Sequence, residues 1–234
     1  MKYISIIFFV LISLSVCSTY QNGNSTNNSA NPVITRNITF VIHGYKSFLF
    51  NPARVYKPLK DEFEKRGFKC LIVQSPRTKI TPNRDQAIAL VEALKNINGD
   101  IVLVGLSGQG LFMPLVAAER PVKRIVMLNA IIPMPGKSFK EAYDFNQVFV
   151  TRFAQRLADN APEMNEVCPL KELPKVEWVY ICGEKDDAIR PEWEHQAAVK
   201  YLNVEPVIIR GAKHATIVRR KYAVEVVDAA VKGL

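Results

Sequence analysis

The sequence predicts an α/β fold: a mostly parallel central sheet of about six strands, helices on both faces, and a small helical insertion over the sheet. Three observations lead there. Short runs rich in β-branched residues recur along the chain, and segments of helical apolar periodicity separate them. The runs are largely apolar instead of strictly alternating, as strands buried on both faces require.

Ile38 to Ile42 is the first strand, and His43-Gly44 after it reads as a tight turn. Pro58 to Arg66 puts Leu59 and Phe63 on one helical face, with proline suited to the first turn and Gly67 to the exit. Lys69 to Val73 is the second strand. Asn83 and Gln86 have capping-box spacing, and Ala87, Ile88, Val91 and Leu94 form the stripe of a helix that Asn98-Gly99 stops. Strands Asp100 to Val104 and Arg124 to Leu128 follow, joined by a Gly-rich turn and a helix over Leu111 to Glu119. The alternation lapses between about Ile131 and Lys175, where Pro133, Pro135 and Gly136 precede a helical stretch from Phe139 to Leu157. Regular order returns with strand Val176 to Cys182, a helix from Glu192 to Tyr201, strand Val207 to Arg210 and a helix from Arg220 to Val231.

With 234 residues, 48% of them hydrophobic and 23% charged, the chain is long enough to bury one sizeable core. The 11 glycines and 14 prolines are too few for collagen-like or wholly disordered material. The net charge of +9 is spread as Lys65-Arg66, Arg219-Arg220-Lys221 and isolated residues. Such a distribution reads as a solvated surface, and no nucleic-acid partner is expected.

Residues 1–18 carry one early cation, Lys2, then an unbroken apolar run from Ile6 to Ile12, the pattern of an export signal. Val16 and Ser18 suit cleavage before Thr19, whereas Leu14-Ser15-Val16-Cys17 resembles a lipobox that would make Cys17 a lipidated first residue. Secreted, periplasmic and lipid-anchored forms all fit, and membrane contact is expected only through a lipid on Cys17. Residues 19–36 are rich in Asn, Ser and Thr, so burial cannot offset their ordering entropy, and they read as a disordered linker before a domain over 37–234. Cys17, Cys70, Cys168 and Cys182 lack zinc spacing. Free buried thiols are expected at Cys70 and Cys182, with a Cys168 to Cys182 bridge as the alternative.

The chemistry concentrates in Val102-Leu103-Val104-Gly105-Leu106-Ser107-Gly108-Gln109-Gly110, a buried strand entering a helix through a serine in a glycine-rich turn. A nucleophile elbow needs that context, because the sharp turn lifts the hydroxyl above the sheet and a helix N-terminus favours developing negative charge. Candidate partners follow in the order Ser, acid, His, each just beyond a strand. His214 lies in Gly211-Ala212-Lys213-His214, and Glu184-Lys185-Asp186-Asp187 supplies the acid. His195 falls within a polar helix and is expected to be exposed. The turn His43-Gly44-Tyr45 suits half of an oxyanion hole, with the backbone N–H groups of Tyr45 and Gly108 facing a carbonyl oxygen as it becomes an oxyanion.

From about Thr39 onward the chain resembles the α/β-hydrolase superfamily, and within it the compact group of plant methylesterases, hydroxynitrile lyases and bacterial esterases. The resemblance is carried by Phe40-Val41-Ile42-His43-Gly44, the Ser107 elbow, Val126-Met127-Leu128-Asn129-Ala130-Ile131-Ile132-Pro133 with Pro135-Gly136-Lys137-Ser138, Asp186-Asp187-Ala188-Ile189-Arg190-Pro191-Glu192, and Gly211-Ala212-Lys213-His214-Ala215. It implies an α/β-hydrolase fold, a Ser107-His214-Asp186 triad and a helical cap within about 131–175. Asp187 is the alternative acid, since Asp187-Ala188-Ile189-Arg190-Pro191 matches a general superfamily spacing. Gln109 departs from the glycine usual in the elbow, and Tyr45, Phe48 and Phe50 stand where the group commonly has tryptophans. Hydroxynitrile lyases of the group follow the histidine with lysine; Ala215 here argues for hydrolysis.

The resemblance thus implies a serine hydrolase that cleaves small carboxylic esters through an acyl-enzyme, with no cofactor and no metal. An amidase, thioesterase or lyase on the same fold is an alternative, distinguished by a panel of acyl chains and leaving groups. A noncatalytic ligand-binding protein is another, distinguished by stoichiometric binding without turnover.

Overall fold

The computed structural model describes residues 36–46, 51–76 and 82–234. The leader with Cys17, and the linker apart from Arg36, lie outside the described residues. Six strands, β1 (Ile38–Lys46), β2 (Lys69–Pro76), β3 (Asp100–Leu106), β4 (Arg124–Leu128), β5 (Glu177–Gly183) and β6 (Val207–Ile209), form one sheet in the order β2-β1-β3-β4-β5-β6. Every pairing is parallel, with Val41 beside Leu103, Leu103 beside Ile125 and Ile125 beside Trp178. Parallel neighbours need crossover connections, and helices supply them.

The helices are α1 (Pro52–Val55), α2 (Lys57–Lys65), α3 (Asn83–Leu94), α4 (Met113–Glu119), α5 (Phe139–Ala142), α6 (Phe145–Val148), α7 (Arg152–Asp159), α8 (Pro191–Ala197) and α9 (Arg220–Val231). Successive strand side chains point to opposite faces, so the inner strands β1, β3, β4 and β5 each serve two cores. Phe40, Ile42, Val102, Val104, Val126 and Leu128 pack on α2 and α9 through Leu59, Phe63, Ala223 and Val226. On the other face Val41, Leu103, Ile125 and Met127 meet α3 and α4 through Leu90, Leu94, Met113 and Val116. Phe63 stacks on Phe40 with ring centroids 3.9 Å apart. Truncating such a buried ring to alanine costs about 3–5 kcal/mol.

A fully buried charge enters this framework at Arg124. Arg124, at the start of β4, donates to the carbonyls of Ala230 at 2.6 Å and Lys232 at 2.9 Å and pairs with Glu177. It thereby satisfies carbonyls that the end of α9 leaves without intrahelical partners.

Several local expectations are corrected. β1 continues to Lys46, so His43-Gly44 is strand and not turn; past Ile42, where pairing with β3 ends, its ladder with β2 runs on to Lys46 beside Pro76. The first helical residue of α3 is Asn83 with Pro82 at the N-cap, so there is no Asn83–Gln86 capping box. The Glu166 carboxylate instead accepts from the backbone N–H groups of Asn83 and Arg84, and the Asn83 amide donates to the Glu163 carbonyl at 2.9 Å. The stretch from Phe139 to Leu157 is three helices, α5 to α7, not one. Ser138, Asp144 and Thr151 each accept from a backbone N–H in the first turn that follows, at 3.2, 2.9 and 3.0 Å. Such side-chain caps restart a helix where apolar periodicity alone would continue it.

The described cysteines, Cys70, Cys168 and Cys182, are all buried and unbonded, so the Cys168 to Cys182 bridge is not formed. Burial pushes the Cys70 thiol up to about 12 and the Cys182 thiol further, which makes both inert as nucleophiles.

Candidate active site

Because all strands run the same way, their C-terminal ends share one edge of the sheet, and chain segments leaving them converge there. Ser107 directly follows β3, Asp186 lies three residues beyond β5, and His214 lies five residues beyond β6.

Ser107 has φ 59°, a left-handed conformation that L-residues adopt at a cost of about 1–3 kcal/mol. A single 3₁₀ turn, Ser107–Leu111, carries the chain from the serine towards α4. Gln109, the residue that departs from the usual elbow pattern, braces this turn: its carbonyl Oε1 accepts from the Leu106 N–H at 3.0 Å, and its Nε2 lies 3.5 Å from the Tyr56 hydroxyl. A Cβ on Gly110 would overlap the carbonyl oxygen of Ile131, whereas one on Gly108 would meet nothing within 4 Å. The close backbone approach therefore falls at Gly110.

His214 is 2% exposed, and its two ring nitrogens have different neighbours. Nε2 lies 2.9 Å from Ser107 Oγ, and Nδ1 lies 2.7 Å from Asp186 Oδ2. The other Asp186 oxygen accepts from the N–H groups of Ala188 and Ile189 at 2.7 and 2.8 Å. With an acceptor carboxylate at Nδ1, the proton of neutral imidazole resides there and leaves Nε2 free to accept from the serine. Asp187 points elsewhere: its carboxylate lies 3.3 Å from Lys213 Nζ and its side chain is 45% exposed.

Gly108 follows the serine immediately. Tyr45 stands in the C-terminal extension of β1, beside Ser75 of β2; its side chain, Phe48 and Phe50 lie outside what the structure describes. His43 is fully buried in β1 with its ring edge-on to Phe112 at 5.1 Å, and burial lowers it to about 4, so it is neutral. His195 is half exposed and lies 3.2 Å from Glu205. Among the described residues no group of three or more His, Cys, Asp or Glu side chains is arranged to hold a metal.

Sequence reasoning assigned no role to the polar residues behind this line. Asn129, fully buried just past β4, donates from Nδ2 to the His214 carbonyl at 2.9 Å and accepts at Oδ1 from the Gly183 N–H at 2.7 Å. Tyr180 donates to the Ala130 carbonyl and lies 3.2 Å from Glu194, a fully buried carboxyl. Desolvation, reinforced by nearby Asp186, raises Glu194 well above the usual carboxylate range. The available signal was a polar residue ending the apolar run Arg124–Leu128, at the same sheet edge as Ser107.

Solved structures align over nearly their whole length. An extracellular α/β-hydrolase from a Paenibacillus species, described as sharing structural and functional homology with tobacco salicylic acid binding protein 2, is 20% identical; the match covers 83% of this chain and 99% of that one at a TM-score of 0.58. The chain has the α/β-hydrolase fold. Polyneuridine aldehyde esterase aligns at 16% identity over 81% of this chain and 98% of its own, with a TM-score of 0.60. A pyrethroid hydrolase from Sphingobium faniae JZ-2 aligns at 16% identity over 84% and 98% of the two chains, with a TM-score of 0.55. No protein-family model matches the sequence, and no curated protein compared with it does. In this α/β-hydrolase fold, α5 to α7 fall between β4 and β5. They are tied to the acid loop by hydrogen bonds from Val150 N–H to the Ala188 carbonyl at 3.0 Å and from Arg190 N–H to the Val148 carbonyl at 2.8 Å.

Proposed function

We propose that the protein is a serine hydrolase that cleaves small carboxylic esters through an acyl-enzyme intermediate. The observation that carries this reading is the unbroken hydrogen-bonded line Ser107 Oγ, His214, Asp186, with spacings of 2.9 and 2.7 Å. Several solved structures of the same fold are named as esterases or hydrolases, which supports the class of reaction.

In the first half-reaction Ser107 Oγ bonds to the ester carbonyl carbon while His214 Nε2 takes the hydroxyl proton. Asp186 keeps the Nδ1 proton in place and stabilises the imidazolium that forms. The N–H groups of Gly108 and Tyr45 receive the negative charge on the carbonyl oxygen. Collapse of the tetrahedral intermediate breaks the bond to the alcohol, which leaves with the proton from His214. Water, deprotonated by the same nitrogen, then attacks the acyl carbon; release of the acid returns the proton to Ser107. The buried environment of His214 and Asp186 strengthens each of these charge interactions relative to water.

The leader Met1 to Ser18 further supports export, with the exported chain beginning at Cys17 in a lipid-anchored form or close to Thr19 in a soluble one. Intact mass of the protein from its native host separates these: a terminus at Met1 contradicts export by this segment, and acyl mass on Cys17 identifies the anchored form.

The functional test is a panel of esters, amides and thioesters of varied acyl length, run on the purified domain with Ser107→Ala alongside. Ester turnover that disappears in Ser107→Ala is expected. Stoichiometric binding without turnover, or full activity in a folded Ser107→Ala, contradicts the reading.

A further inference from the structure

We infer that Asn129 is a positioning residue for the Ser107–His214–Asp186 line, and that the segment from Asn129 to Ile131 is the shared anchor of the three loops that carry it. The inference rests on the proposed hydrolase reading. It deepens that reading by naming what holds the three groups in register.

The serine and histidine loops meet this segment directly, and the acid loop meets it through Gly183, the last residue of β5. The Ile131 N–H donates to the Ser107 carbonyl at 3.2 Å. Asn129 Nδ2 donates to the His214 carbonyl at 2.9 Å. Asn129 Oδ1 accepts from the Gly183 N–H at 2.7 Å, and the Gly183 carbonyl in turn accepts from the Asp186 N–H at 3.1 Å. One amide thus spans from the histidine loop to the strand end that starts the acid loop.

The anchor itself is fixed from several directions. The Asn129 N–H donates to the Ile181 carbonyl at 2.9 Å, and the Ala130 carbonyl accepts from the Tyr180 hydroxyl. The Ile131 carbonyl presses against Gly110, where there is no room for a side chain. Asn129 has φ 41°, a left-handed conformation that Asn tolerates better than most residues.

The choice of side chain matters because both ends of a buried amide must be satisfied, and here each end has one partner on a different loop. An aliphatic residue of similar volume would fill the space and leave the His214 carbonyl and the Gly183 N–H unpaired. Spacings of 2.9 and 2.7 Å along the line leave little slack, and misplacement by about 1 Å costs on the order of a hundredfold in rate.

The test compares Asn129→Gly, which keeps the left-handed backbone and removes both bonds, with Asn129→Asp, which keeps the acceptor and loses the donor. Three quantities are read at matched folded fraction, with Ser107→Ala as control: kcat for p-nitrophenyl acetate, KM, and the far-downfield proton resonance of His214 Nδ1–H. Asn129→Gly is expected to lower kcat about tenfold to a hundredfold with KM little changed, and to weaken the resonance through faster exchange. Asn129→Asp is expected to move both in the same direction. If Asn129→Gly does not fold, Asn129→Asp decides on the same criteria. Near-normal kcat with an intact resonance overturns the inference, and so does a loss of kcat with an unchanged resonance, which would make Asn129 merely structural. Full activity in Ser107→Ala would reject the hydrolase reading itself. Loss of activity in Ser107→Ala beside a normal Asn129→Gly rejects the positioning role alone.

Discussion

Gly110 lies against the carbonyl of Ile131 so closely that any side chain on it would overlap that oxygen. Gly110→Ala must therefore push the elbow away from the anchor after β4, and it is expected to destabilise the fold by about 1–3 kcal/mol, the usual cost of overpacking. Gly108→Ala, two residues earlier, meets open space and should leave the unfolding midpoint near that of the parent. Urea unfolding of the two variants checks the contrast; equal midpoints would contradict the packing account of the elbow.

The next contrast separates adjacent carboxylates. In Asp186→Asn the amide oxygen can still accept from Ala188 and Ile189, which turns the amide NH₂ towards His214 Nδ1. The imidazole then carries its proton on Nε2 and cannot accept from Ser107, so kcat should fall by a factor on the order of 10³–10⁴. Asp187→Asn removes only an exposed pairing with Lys213 and should change kcat by less than about twofold. A severe defect confined to Asp187→Asn would exchange the two roles.

What was legible in the sequence follows from which signals are local. The strands could be read because their residues are apolar on both faces, and the positions of Ser107, Asp186 and His214 beyond strand ends followed from strand order. Asn129 was not legible as a clamp, since its partners Gly183 and His214 stand 54 and 85 residues away. The same holds for Glu166, which reaches 83 residues back to the N-terminus of α3. The breaks between α5, α6 and α7 were missed for a different reason. Ser138, Asp144 and Thr151 are ordinary polar residues until their backbone turns outward to cap.

His43 makes acid stability a measurable consequence of burial. Desolvation lowers it from 6.5 to about 4, so between those values the unfolded chain binds a proton that the folded one refuses. Its contribution is fully present above pH 6.5 and is lost as pH falls towards 4, by on the order of 3 kcal/mol. His43→Phe should flatten this part of the stability profile in urea titrations from pH 7 to 4. An unchanged slope would mean that other groups govern the loss.

Glu194 gives the opposite sign. Burial raises its carboxyl well above 4.5, so the folded chain holds a proton that the unfolded chain has released. Stability from this group is present below pH 4.5 and declines as pH rises towards the elevated value. Glu194→Gln, whose amide can also donate towards the Tyr180 hydroxyl, should raise Tm at pH 8 relative to the parent and lose that advantage at pH 4. A constant difference at both pH values would show that the carboxyl is not titrating as its burial requires.

The central claim is that Ser107 is a nucleophile activated by His214 and Asp186. Intact-mass and peptide mapping after exposure to a fluorophosphonate tests it most directly, because the reagent forms a phosphorus–oxygen bond only with an activated hydroxyl and expels fluoride. The account predicts one adduct per chain, mapped to Ser107, absent from Ser107→Ala and greatly slowed in His214→Ala. No adduct on the folded protein, or an adduct on another residue that persists in Ser107→Ala, would contradict it.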